Sequence, residues 1–164
     1  MYKEADDEGG SGMDARWAEL ADLALIIARE IQFRGYTDER AIVLTPSEGA
    51  VVRHLHIDPA ATPTRIAAAT GLRRNNLSNT LRGLEAKGLI ERRITPDDRR
   101  GVTVHMTERG EANYLLVRQE WAGAVSTAAG GDTRELETTL TLLRTVKTGL
   151  VAARSGTPAP KPVP

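Results

Sequence analysis

Between Thr62 and Met106 the hydrophobic period of the chain changes from that of a helix to that of a strand, and this change limits the possible folds more than any other feature. Thr62-Pro63 combines a helix-capping hydroxyl with a proline at the first helical position, where its missing N–H costs nothing. It predicts a short helix over Thr64–Thr70 that Gly71 stops. A second helix is expected over about residues 74–87, ended by Gly88. Beyond it Ile90 and Ile94, then Val102, Val104 and Met106, alternate with Glu91, Arg93, Thr103 and His105, which predicts a two-stranded hairpin. Its connection, about residues 95–101, is rich in turn formers and longer than a tight turn needs, so it should project as a wing. Two short helices joined by a glycine turn make a helix-turn-helix, whose second helix is shaped to enter a major groove.

The second helix has two faces suited to that role. Leu77, Leu81 and Leu84 recur at i, i+4 and i+7 and should bury together, while Asn75, Ser78, Asn79 and Arg82 share the opposite face behind Arg73, Arg74 and Asn76. Amide and guanidinium groups are the side chains able to form paired hydrogen bonds with adenine and guanine edges. The whole chain is neutral, with 22 basic and 22 acidic residues, and so carries no bulk signal for nucleic acid. The signal is local: from Thr62 to His105 there are nine basic side chains, Arg65, Arg73, Arg74, Arg82, Lys87, Arg92, Arg93, Arg99 and Arg100, against four acidic ones. A local surplus of this kind suits a phosphate-contacting surface.

The flanks read as helices. Trp17, Leu20, Ala21, Ala24, Ile27, Ala28 and Ile31 predict one from near Asp14 to about Arg34, and Leu23, Leu25 and Ile26 widen its apolar sector beyond what so small a monomer can cover, which suggests a partner chain. Thr45-Pro46-Ser47-Glu48 is a capping box that should open a helix to about His56. After Thr107 a helix is expected from Glu108 to about Ser126, and another from a cap at Asp132, carrying Leu136, Leu140, Leu143 and Leu150. Residues 1–12 are acidic and glycine-rich and read as a disordered head; 155–164 hold four prolines and read as a flexible tail. The absence of cysteine excludes disulfides, thiolate metal sites and thiol nucleophiles. His54 and His56 lie two apart on a helix and point away from each other, so no metal site is expected. No phosphate loop, nucleophile elbow or paired-carboxylate motif is present, so neither an enzyme nor a cofactor is expected. No apolar stretch is long enough to span a bilayer, and a soluble, cytoplasmic protein without a membrane partner is expected.

Three motifs together carry a family resemblance: LTPSEGAVVRHL, the segment LEAKGLIER, and Asp98-x-Arg100 followed by Met106-Thr107-x-x-Gly110. In this order and spacing, over roughly Leu44–Gly110, the chain resembles the multiple antibiotic resistance regulator (MarR) family. The resemblance implies a mainly α winged helix-turn-helix fold with a small β-hairpin wing and about six helices per chain. Residues 13–154 would form the domain, with a DNA-binding lobe over 45–106. It implies a homodimer built from residues 13–34 and 107–154, with Leu20, Leu23, Ile27, Leu136, Leu140, Leu143 and Leu150 at the interface. Two-fold symmetry would set two recognition helices roughly 34 Å apart on an inverted repeat of duplex DNA. It further implies that Arg100, beside Arg99 and oriented by Asp98, meets the minor groove, where a guanidinium suits the negative potential. Family members often bind small aromatic or anionic effectors in a cleft beside the lobe; here Trp17, Tyr36, Arg53, His54 and Tyr114 are the candidates to line it. The function implied is a sequence-specific repressor released by such a molecule. The alternative is an architectural DNA binder or a protein-interaction module without an effector. The recognition helix departs from the family pattern: Arg73-Arg74-Asn75-Asn76 replaces small hydroxyl residues, and Asn79 stands where the family often has an arginine.

Overall fold

The computed structural model describes residues 8–94, 101–154 and 156, in two units, one ending at Gly35 and the other beginning at Tyr36. The first is a helix, α1 (Glu8–Phe33). It begins before Asp14, so residues 8–12, expected in a disordered head, are helical instead. Once the amphipathic stretch around Trp17–Ile31 has formed a helix, each added residue gains a hydrogen bond without repeating the cost of nucleation, and the helix runs back through Gly9, Gly10 and Gly12. Residues 1–7 of that head, and 155 and 157–164 of the expected tail, lie outside the described residues.

The second unit runs α2 (Pro46–Ile57), α3 (Pro63–Thr70), α4 (Arg74–Ala86), β1 (Ile90–Ile94), β2 (Val102–Met106), α5 (Glu108–Ala128) and α6 (Leu136–Arg154). The expected periodicities locate the core. Val51, Val52 and Leu55 of α2, Ile66 of α3, Leu77, Leu81 and Leu84 of α4, and Leu89, Ile90, Val104 and Tyr114 form one buried cluster. Each such apolar side chain contributes about 1.5–3 kcal/mol on burial. The two strands pair antiparallel from Ile90 opposite Met106 to Ile94 opposite Val102. A third edge element, invisible to periodicity because it is one residue long, is Ala61, whose carbonyl accepts from the Val104 N–H at 3.0 Å.

The spacing Met106-Thr107-x-x-Gly110 acquires a physical reason. Thr107 caps α5, its hydroxyl oxygen accepting from the Gly110 N–H at 3.0 Å while its O–H donates to the Gly88 carbonyl at 2.7 Å. A Cβ at Gly110 would lie 2.0 Å from the Leu89 carbonyl oxygen, so only glycine lets α5 start against the end of the hairpin. One cap expectation fails. Asp132 does not begin α6; its carboxylate takes the N–H and guanidinium of Arg134, and the helix starts at Leu136. The backbone N–H and the guanidinium of Arg134 occupy that carboxylate in place of a capping bond to the first turn of the helix.

Candidate nucleic-acid interface

Helix α4 is held by its apolar face and presents its polar one. Leu77, Leu81 and Leu84 are buried, whereas Arg73, Arg74, Asn75, Asn76, Ser78, Asn79 and Arg82 are all exposed. Its N-cap residue, Arg73, makes no side-chain capping bond, so the first-turn N–H groups are left to a ligand or to solvent. Unpartnered N–H groups at a positive helix end suit a phosphate oxygen. Asn79 and Arg82 are not independent, because the Arg82 guanidinium donates to Asn79 Oδ1. One acceptor position of that oxygen is thereby taken, and N–H donors predominate in the pair.

The local surplus of positive charge turns out to be partly internal. Lys87 points into the lobe, its Nζ 2.6 Å from Glu48 Oε2 and 3.0 Å from the Val43 carbonyl. Arg65 pairs with Asp58 at 2.8 Å, Arg92 with Glu85 at 3.0 Å, and Arg93 with Glu91. The side chains of Arg73 and Arg74 have no ion-pair or hydrogen-bond partner among the described residues. Counting charges along the sequence overstates the cationic surface, since it cannot tell an arginine facing a carboxylate from one facing solvent. The wing residues Asp98, Arg99 and Arg100 lie outside the described residues.

Glu48 was legible only as a capping residue, yet it fastens α4 to α2. Its side chain accepts from the Thr45 N–H at 2.8 Å in the expected capping box and from Lys87. Burial acts to raise its pKa; the hydrogen bond from Lys87, the Thr45 N–H and the lysine charge together outweigh it and leave the carboxyl below its ordinary value. A charge pair between residues 39 positions apart thus ties the C-terminal end of α4 to α2.

Within the second unit the expected effector residues do not converge on one place. Arg53 and His54 line a cleft of about 650 Å³ with Ile57 of α2, Ala69 of α3 and Lys147 and Val151 of α6. His54 Nε2 is buried and lies 3.5 Å from Asp58 Oδ2, outside hydrogen-bond geometry. Tyr114 is instead a core residue, its ring tilted by 46° against that of His56 with centroids 4.6 Å apart. Tyr36 is half-buried and does not line the cleft, and Trp17 belongs to the other unit. The apolar α6 contribution and Lys147 were missed, because the approach of α6 to α2 and α3 leaves no local pattern in the chain.

A helix-turn-helix with a solvent-facing polar recognition helix, followed by a two-stranded wing, defines the protein as a winged-helix DNA-binding type. Residues 44–101 match the model of the MarR family. The chain is 27% identical over 118 residues to the HTH-type transcriptional regulator PetP of Rhodobacter capsulatus, covering 64% of this chain and 71% of that protein. It shares its fold with Streptococcus pneumoniae FabT in complex with DNA (TM-score 0.59, 22% identity, 83% of this chain and 95% of that one). It likewise resembles Bordetella bronchiseptica BpsR, whose DNA binding is regulated by 6-hydroxynicotinic acid (TM-score 0.57, 20% identity, 78% and 98%). With that match and that relative, the chain resembles the MarR family of transcription regulators and is a DNA-binding regulator. No helix among the described residues is long and apolar enough to cross a membrane.

Proposed function

We propose that this protein is a cytoplasmic, homodimeric repressor that reads an inverted-repeat operator in duplex DNA and is released by a small aromatic or anionic effector. The observation that carries this reading is the division of α4 into a buried leucine face and an exposed face of Asn75, Ser78, Asn79 and Arg82, with Arg73, Arg74 and Asn76 at its open N-terminal end. Because the Asn79–Arg82 pair offers donors, it fits the O6 and N7 acceptors of guanine better than the mixed edge of adenine. Asp98, Arg99 and Arg100 are assigned to the minor groove by resemblance to the family.

Uncovered apolar side chains support the dimer. Leu23 and Ile27 on α1, and Leu136, Leu143 and Leu150 on α6, are exposed, with Leu20 and Leu140 half-buried; α6 buries none of its residues. Apolar area of this extent favours a second copy over water. The cleft beside α6 supports the effector: Arg53 and Lys147 offer positive charge to an anion, and Ile57 and Val151 offer an apolar wall.

The test is a binding-site selection from random duplexes by the full chain, Asn79→Ala and Arg82→Ala at one salt concentration. The expected result is an inverted repeat in which both variants relax the same guanine position, at a cost of about 1–3 kcal/mol per half-site. Identical motifs from all three proteins would discard α4 as a reading helix and favour an architectural DNA binder.

A further inference from the structure

Helix α6 ends on the turn that launches the recognition helix. Arg154, its last residue, donates from Nη2 to the carbonyl oxygens of Ala68 at 3.0 Å and Ala69 at 2.7 Å, both in the final turn of α3. The last four carbonyls of any helix lack intrahelical partners, and of these the Gly71 N–H satisfies Ala67. Arg154 satisfies two more and places a cation at the negative end of the helix. Gly71 makes the seat possible. It adopts φ +73°, and a Cβ there would stand 2.6 Å from Arg154 Nη1. Beyond Gly71 only Leu72 and Arg73 precede α4, and Leu72 packs against the lobe core, so little slack separates the end of α3 from the start of the reading helix.

We propose that Arg154 is a positioning residue for DNA recognition, fastening the C-terminal end of α6 to the last carbonyls of α3 and so setting the attitude at which α4 meets the groove. The inference rests on the assignment of α4 as the reading helix. It makes α6, a helix that buries no side chain of its own, an element whose movement is felt at the base edges. The same two helices, α3 and α6, contribute Ala69, Lys147 and Val151 to one cleft, so displacement of α6 there strains this bond first.

The test uses the full chain as wild type, Arg154→Ala and Arg154→Lys. Hydrogen–deuterium exchange without DNA should show faster exchange in Arg154→Ala over the end of α3 and residues 71–73. Affinity for the best duplex selected by the wild type should fall roughly three- to tenfold, with non-specific affinity and the slope of affinity against salt unchanged. Arg154→Lys should recover part of the loss, keeping the cation but not the longer, planar guanidinium whose Nη2 reaches both carbonyls. A salt slope reduced by about one, with specific and non-specific binding weakened alike, would make Arg154 a phosphate contact and overturn the proposal. Unchanged exchange and affinity would overturn it too. If the wild type selects no preferred duplex, the assignment of α4 fails, while the exchange measurement still decides whether the bond holds the turn.

Discussion

Replacing Lys87 by methionine isolates the contribution of one ion pair to the seating of the recognition helix. The substitution keeps the aliphatic stem and removes the ammonium that lies 2.6 Å from Glu48 Oε2. Glu48 is only 5% exposed, so its carboxylate would remain in the lobe with the Thr45 N–H as its main donor. Orphaning one member of a fully buried pair costs about 3–5 kcal/mol. Here the lysine side chain is 32% exposed and one backbone donor stays, which lowers the expected loss to about 2 kcal/mol. For a domain of this size that is a fall in Tm of about 4–8 °C. The pH dependence identifies the cause. The folded pKa of Glu48 is lowered below 4.5, so between the two values the unfolded chain holds the proton more readily than the folded one. The contribution of the pair is therefore complete above pH of about 4.5–5 and is lost as pH falls through the folded value. Urea unfolding of wild type and Lys87→Met should show the full deficit at pH 7 and a shrinking one toward pH 4, with the salt slope of DNA binding unchanged. A deficit of equal size at both pH values, or a salt slope reduced by about one, would refute the inward role and return Lys87 to the DNA-facing charges.

Ile27 is 51% exposed on α1, so Ile27→Asp should spare the single chain and dissociate the dimer; sedimentation showing an intact dimer at micromolar concentration would exclude this face from the interface. Arg100→Ala should weaken binding to every operator variant and flatten the salt dependence, since it removes groove electrostatics rather than one base contact; gel-shift titrations across salt concentrations check it. If the cleft beside α6 takes an aromatic anion, benzoate should raise the Tm of the wild type and not of Arg53→Ala with Lys147→Ala, as differential scanning fluorimetry would record.

Where function depends on neighbours along one helix, the sequence was sufficient. The faces of α4 follow from the spacing of Leu77, Leu81 and Leu84, and the wing strands from the change to a period of two after Gly88, because backbone geometry converts spacing directly into direction. The local caps at Thr45 and Thr62 were legible for the same reason, their partners lying three residues away. Asp132 was misread because a second nearby donor, Arg134, was available to it.

What crosses the chain could not be read in this way. Lys87 and Arg65 are, in sequence, members of a basic cluster; in the folded lobe they face Glu48 and Asp58, and only distance decides between a phosphate-seeking charge and a structural one. Tyr114 looked free to line a cleft and is instead part of the core, while Arg53 and His54 reach a cleft whose other wall comes from α6, some ninety residues later. Residue identities and local periodicity determine that α4 carries one buried leucine face and one exposed polar face. Tertiary packing decides which of the chain's charges remain free, because the free energy of a charge depends on what surrounds it rather than on its place in the chain.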